Sequence, residues 1–433
     1  MEVTEGVLGL IEQHQPVVNA YCLVDAERAM ADATASDDRY RRHEARGRLE
    51  GVPVAVKDVF LTAGWPTRRG SRLVDPAGPW NVDAPAVAAL RRQGAVLVGK
   101  TTTPELGWKG VTDSPLHGVT RNPWDPARTA GGSSGGSAAA VVLGMATLAL
   151  GTDGGGSIRI PAGFCGHVGF KPSYGRVPLW PASPFGTLAH AGPMTRTVAD
   201  TALMLTVIAA PDSRDWTALP PDHTDYASAL AGGVQGLRVA YSPDLGYVSV
   251  DPEIAAAVAK VAATLEQLGA AVDQVDPGFD DPVEAFHTLW FASAADATRG
   301  YSPEQRQLLD PGLAEVTAEA AAISLPEYLT AARQRVELGI MMGRFHDRYD
   351  LLLTPTLPIP AFAAGHEVPD GWPHPRWTSW TPFTYPFNLT QQPAISIPCG
   401  FTSARLPVGV QLVGARHQDA LVLRAAQTLE QAL

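Results

Sequence analysis

Two serines set among glycines and one lysine set in a hydrophobic run are the residues of this chain whose types and surroundings could do chemistry. The serines lie in Gly131 to Ser157, GGSSGGSAAAVVLGMATLALGTDGGGS, which places a glycine-rich cluster at each end of an apolar, alanine-rich segment. Glycines let backbone amides approach a ligand closely. The second cluster, Thr152-Asp153-Gly154-Gly155-Gly156-Ser157, can turn several consecutive N–H groups towards one point, as a serine nucleophile needs where an oxyanion forms. A serine hydroxyl attacks only when a base removes its proton. Gly51 to Phe60, GVPVAVKDVF, offers one: a β-branched apolar run bounded by Gly and Pro reads as a strand buried on both faces, and Lys57 interrupts it. Burial disfavours the ammonium and lowers its pKa, which makes the amine a base near neutral pH.

These residues sit in a longer pattern that resembles the amidase signature hydrolases. The likeness runs through GVPVAVKD (51–58), TRNPWDPARTAGGSSGGSAAAV (120–141), GTDGGGSIRIPAGFCGHVGFKPSYGRVP (151–178) and GPMTRTVADTALML (192–205), and more loosely through PAISIPCG and LPVGVQLVG near the C-terminus. The resemblance implies a Ser/cis-Ser/Lys triad. Ser157 would be the nucleophile, Ser133 the bridging serine after a cis peptide from Gly132, and Lys57 the base, neutral at rest. Lys57 would draw a proton from Ser133 as Ser133 draws one from the attacking Ser157. The N–H groups of Gly154, Gly155, Gly156 and Ser157 would hold the oxyanion. Collapse expels the amine, protonated through Ser133, and water then hydrolyses the acyl-enzyme. Ser134 would support the triad by hydrogen bonds, and Asp153 would pair with Arg159 to hold the oxyanion loop. No metal or organic cofactor enters this scheme.

Other readings of the same residues are weaker. Gly132 to Gly136 satisfies the G-x-S-x-G nucleophile elbow, which would make Ser134 the nucleophile, but that elbow follows a hydrophobic strand and Asn122 to Ala130 reads NPWDPARTA. Neither glycine cluster is followed by the Gly-Lys-Ser/Thr of a phosphate-binding loop. Alone, the 131–137 cluster reads as a turn or helix cap, Lys57 as an edge-strand lysine reaching for solvent, and Arg159 as a structural ion pair. Their ordered combination favours the catalytic reading. Esters and carbamates can use the same relay. The glutaminase component of a tRNA-dependent amidotransferase is a further alternative, which the resemblance disfavours through Ile160, where those components usually carry glutamine, and Thr102, where many members of the family have asparagine. An inactive binding paralogue is disfavoured by retention of Lys57, Ser133 and Ser157.

Composition sets the outer limits. The 433 residues are 45% hydrophobic, ordinary for a globular protein with a large core. A net charge of −11 without a basic run excludes a phosphate-binding surface, so no nucleic-acid partner is expected; the Arg-containing stretch 41–48 lies beside acids. Cys22, Cys165 and Cys399 are too scattered for a disulfide framework or zinc site. The start MEVTEG lacks the features of a signal peptide, and no run is long enough to span a bilayer, so a cytoplasmic protein without membrane attachment is expected. The resemblance allows a homodimer.

The elements that must position these residues alternate as α/β. An N-terminal helical region to about residue 48 leads to the Lys57 strand, then a helix over 84–93 and a strand over 95–99. Ser137 to Leu150, free of proline and ended by Gly151, reads as a buried helix. Strands are expected over 236–241, 271–275, 350–354 and 408–413, with helices over 251–268, capped by Asp251, and 417–433. The resemblance implies one domain over 1–433, a mixed central sheet surrounded by helices, with its signature core at about 50–205, a divergent substrate-pocket region at about 210–385 and a return to the core at about 386–433. Trp180, Phe185, Trp377, Trp380 and Phe383 are candidates for an apolar pocket wall, which points to a small, uncharged aryl or alkyl acyl group on the amide.

Overall fold

The computed structural model describes residues 1–221 and 223–433. In chain order its strands are β1 Tyr21–Val24, β2 Pro53–Lys57, β3 Val96–Thr101, β4 Asp113–Ser114, β5 Gly118–Val119, β6 Leu148–Asp153, β7 Val168–Lys171, β8 His190–Thr195, β9 Arg238–Tyr241, β10 Ala271–Gln274, β11 Leu351–Pro355, β12 Ala394–Phe401 and β13 Pro407–Gly414. β4 and β5 make a small ribbon. The other eleven form one sheet in the order β1-β3-β2-β6-β8-β7-β12-β13-β11-β9-β10. β2 runs parallel to β3 and β6, the run from β6 to β11 is antiparallel, and β11, β9 and β10 are parallel. This is a single-domain α/β fold with a mixed central sheet.

Its central strands are apolar on both faces because both faces are covered. Val54 and Val56 of β2 belong to the apolar cluster that takes in the helices Pro85–Arg92, Val198–Ile208, Pro252–Gln267 and Asp419–Glu430, whereas Ala55 between them belongs to the cluster of Glu2–Val18, Ala26–Arg41 and Gly135–Val142. An aromatic-rich cluster on the helices Val283–Thr298, Pro311–Ala320 and Leu325–His346 includes Ala240, Leu352, Ala394 and Val413 of β9, β11, β12 and β13. The βαβ reading of 236–275 holds: β9 and β10 are parallel neighbours, and Asp251 caps the intervening helix by accepting from Glu253 N at 2.8 Å.

Two expectations need correction. The helix expected over Ser137 to Leu150 spans only Gly135–Val142. The chain then turns through Gly144, whose φ of +69° suits glycine, and Leu148–Asp153 becomes β6. An apolar Ala/Leu run serves a buried helix or a buried strand equally well, and pairing of Leu148, Ala149 and Leu150 with Val54, Ala55 and Val56 decides for the strand. The N-terminal helical region is two helices with β1 between them, paired antiparallel to β3. The helices Val283–Thr298, Pro303–Arg306, Pro311–Ala320 and Leu325–His346 gave no clear sequence signal of their own.

Leu150 is fully buried opposite Val56. Leu150→Ala is expected to destabilise the fold by about 2–5 kcal/mol through lost apolar burial and the remaining cavity, read as a lower urea midpoint at unchanged slope; a loss well under 1 kcal/mol would contradict this packing.

Candidate active site

Lys57 is the last residue of β2, beside the end of β6, so the strand carries its side chain to where the two glycine-rich segments meet. The amine is fully buried. Its nitrogen lies 2.7 Å from Ser133 Oγ, 2.9 Å from Ser134 Oγ and 2.8 Å from Thr152 Oγ1. All three partners are hydroxyls, and no carboxylate forms an ion pair with it among the described residues. Burial therefore drives its pKa well below the ordinary lysine value, with Asp153 opposing more weakly from a distance. A neutral amine has two hydrogens and one lone pair. Ser134 Oγ can spend its own hydrogen on Thr152 O at 3.2 Å, which leaves Ser134 to accept from Lys57 and leaves the Lys57 lone pair able to accept from Ser133.

The peptide between Gly132 and Ser133 is cis. Gly132 has no room for a side chain, since a Cβ there would stand 2.4 Å from the Val111 carbonyl carbon. Ser134 N donates to Ser157 O at 3.2 Å, which ties the two serine segments together. Ser133 and Ser157 both line a cavity of about 90 Å³, and no hydrogen bond joins their hydroxyls in this geometry. Catalytic hydrogen bonds are often long before substrate binds.

The loop after β6 is organised by Asp153. Its carboxylate accepts from Gly156 N (2.8 Å), Ile158 N (3.2 Å), and Arg159 Nε and Nη2 (both 2.9 Å). Arg159 is also fully buried; it donates further to Asn388 Oδ1 (2.7 Å), Gln411 Oε1 (2.8 Å) and Thr384 O (3.0 Å). Burial alone would raise the Asp153 pKa, but the charge and hydrogen bonds of Arg159, with Lys171 and Asn388, hold it well below the usual carboxylate range. The expected Asp153–Arg159 pair is thus the hub of a network reaching residues more than two hundred positions away.

This network corrects the expected oxyanion donors. The Gly156 N–H is taken by Asp153, and a Cβ at Gly156, whose φ is +128°, would stand 2.4 Å from Thr384 Oγ1. The N–H groups of Gly154, Gly155 and Ser157 have no acceptor among the described residues. Of these three residues, Gly154 and Ser157 also line the cavity.

Of the five aromatics read as pocket wall, Trp180 and Phe185 line the cavity. Trp377, Trp380 and Phe383 do not; all are buried in the core. Trp377 packs behind the oxyanion loop, with a ring atom 2.7 Å from where a Cβ of Gly155 would lie, and Trp380 stacks on Phe164. A proline-rich aromatic segment here fills space rather than facing substrate. Residues that the sequence reading missed are Trp290, which stacks on Phe185 with ring centroids 3.7 Å apart, Thr152 on the lysine, and Leu106 and Arg69 in the cavity lining. Only Thr152 carried a signal, its place in the second glycine cluster.

Among the described residues, Cys22, Asp58 and His117 form one group able to surround a metal, with ligand atoms within 4.8 Å of one another. The Lys100 ammonium already sits 3.2 Å from the Asp58 carboxylate. A dication would have to share that charge, so the donor set does not fit one. No helix among the described residues is long and apolar enough to cross a membrane.

A buried amine beside a serine pair thus meets unengaged backbone donors at one cavity. The family described as amidase matches residues 2–423. An acylamidase of Rhodococcus erythropolis is 38% identical over 99% of this chain and 91% of that protein, and the A component of the glutamyl-tRNA(Gln) amidotransferase of Geotalea daltonii is 37% identical over 100% and 93%. The crystal structure of a bacterial aryl acylamidase of the amidase signature family superposes with a TM-score of 0.91 at 33% identity, covering 100% of this chain and 92% of that one. This chain belongs to the amidase family, and it is an amidohydrolase, an enzyme that hydrolyses carbon–nitrogen amide bonds.

Arg159→Met would strand the Asp153 carboxylate in the core. The variant is expected to lose about 3–5 kcal/mol of stability, measured by denaturant unfolding; Arg159→Met within 1 kcal/mol of the parent would show that the network is not a structural hub.

Proposed function

We propose that this protein hydrolyses small carboxamides with an uncharged aryl or alkyl acyl group through an acyl-enzyme on Ser157. The observation that carries this reading is Lys57: a fully buried amine, surrounded only by hydroxyls and 2.7 Å from Ser133 Oγ. Neutral Lys57 takes the Ser133 proton while Ser133 takes that of Ser157, whose oxygen attacks the amide carbon. The N–H groups of Gly154, Gly155 and Ser157 hold the oxyanion, and Ser133 returns the proton to the departing amine. Water repeats the sequence on the ester. The apolar part of the cavity lining, Trp180, Phe185, Trp290, Leu179 and Phe60, supports the uncharged acyl group. The similarity to an acylamidase and an aryl acylamidase supports this reading over a glutaminase component.

Ser157→Ala is expected to lower kcat for an anilide by about 10⁴-fold or more, and Lys57→Met by about 10³-fold, with an activated ester harmed less by the lysine change because its leaving group needs no proton. A Ser157→Ala enzyme that keeps the parent rate would overturn the assignment.

Because Lys57 works as the neutral amine and burial lowers its pKa, kcat/KM should fall as pH drops through that lowered value. The unfolded chain binds the proton more readily, so this group also makes stability rise with pH up to the ordinary lysine pKa. In Lys57→Met the residual ester hydrolysis should lack that acid limb, and an identical limb in both enzymes would assign it elsewhere.

Across a panel of anilides, neutral aryl and alkyl acyl groups are expected to exceed short charged acyl groups by about tenfold or more in kcat/KM, since the wall would strip water from a charge without replacing it. The opposite ranking would refute the acyl preference.

A further inference from the structure

Arg69 is the one charged side chain lining the catalytic cavity among the described residues. It comes from the loop after β2, where Thr67-Arg68-Arg69-Gly70 carries no recognisable motif. Its guanidinium is half-buried, yet no hydrogen bond or ion pair engages it among the described residues. The acid whose charge acts on it is Asp58, with the Tyr301 phenol beside it, and Asp58 is already held by Lys100 at 3.2 Å. One carboxylate thus serves two cations. In a chain of net charge −11, the lining of this cavity carries one arginine and no carboxylate. Arginine keeps its charge at any physiological pH, and a half-desolvated guanidinium without a partner is costly.

The loop holds Arg69 in place by its backbone. Arg69 adopts φ +54°, a conformation uncommon for a residue with a side chain, and so does Leu106, whose N–H donates to Arg69 O at 2.8 Å. Both residues line the cavity. Leu106 is followed by Gly107, where a Cβ would stand 3.4 Å from Ser133 Oγ. On the other flank, Trp290 abuts Gly154, with a ring atom 2.8 Å from where a Cβ of that glycine would lie. The Leu106–Gly107 segment, tied to the Arg69 backbone, thus lies on the Ser133 side of the cavity, and Trp290 lies against Gly154.

We propose that Arg69 is a specificity-determining residue that binds a carboxylate on the amine half of the substrate, so that the preferred amides are N-acylated amines bearing an acid group. The assignment to the amine half rests on the proposed role of Ser133 as the group that returns a proton to the departing nitrogen, because that nitrogen must then lie on the Ser133 side, with Arg69. The planar fork of the guanidinium suits a carboxylate in two-point contact.

Three amides of nearly equal shape test this: N-phenylbutanamide, 4-(butanoylamino)benzoate with its carboxylate on the amine half, and N-phenylsuccinamate with its carboxylate on the acyl half. The parent enzyme should favour 4-(butanoylamino)benzoate over each of the others by about tenfold or more in kcat/KM, the discrimination of one charge-assisted contact, chiefly through KM. In Arg69→Met that ratio should fall to near one, and in Arg69→Lys it should be intermediate; a ratio does not depend on how much of a variant folds. Equal ratios in parent and Arg69→Met, or a preference for N-phenylsuccinamate, would overturn the proposal. Calorimetry with 4-aminobenzoate gives a readout independent of turnover: binding should weaken about tenfold or more in Arg69→Met, and unchanged binding counts against Arg69. Should none of the amides be cleaved while 4-aminobenzoate binding still depends on Arg69, the hydrolytic reading fails and the anion subsite stands.

Discussion

The structure depends on keeping an amine dry without giving it a counter-ion. Lys57 is sealed at the end of a central strand, and the three groups within reach of its nitrogen are hydroxyls. A carboxylate in any of those places would restore the positive charge and remove the lone pair. The surrounding architecture follows from that exclusion. Both faces of β2 are covered, two serines and a threonine supply neutral hydrogen bonds, and the nearby acid Asp153 turns its carboxylate away, towards Arg159.

Asp153 resolves a conflict that any such loop faces. Free N–H groups must point at one spot, and glycine-rich backbone does not hold still unaided. Asp153 uses the Gly156, Ile158 and Arg159 N–H groups to fix the turn and leaves those of Gly154, Gly155 and Ser157 for a ligand. Arg159 balances the buried charge and has acceptors for its donors on Asn388, Gln411 and the Thr384 carbonyl. The pair is therefore satisfied on every side, the condition under which a buried ion pair is tolerated.

The parts of the site that were legible in the sequence are those marked by an ordered combination of segments. Singly, a lysine inside PVAVK suits an edge strand and serines among glycines suit a turn, but together they singled out Lys57, Ser133 and Ser157, and the apolar run around Lys57 showed its strand. What was not legible depended on pairing partners far along the chain. Leu148 to Asp153 is apolar enough for helix or strand, and only β2 decides. Trp377, Trp380 and Phe383 have the composition of a pocket wall, but aromatics serve equally well as filling, and the core claims them. Arg69 and Trp290 reach the cavity from segments without periodicity or motif, so nothing local marks them.

The order of the sheet carries a consequence for how the molecule comes into being. Strands β1, β3, β2, β6, β8 and β7 form one half, β11, β9 and β10 the other, and only β12 and β13 bridge them. These bridging strands follow all the others in chain order, and they arrive with Gln411, while Asn388 precedes them by a few residues. Until then Arg159 lacks its distant acceptors and the two half-sheets have open edges. A nascent chain can hold the lysine and both serines before it can hold them in register, so the site is completed in the same closing step that joins the two open edges.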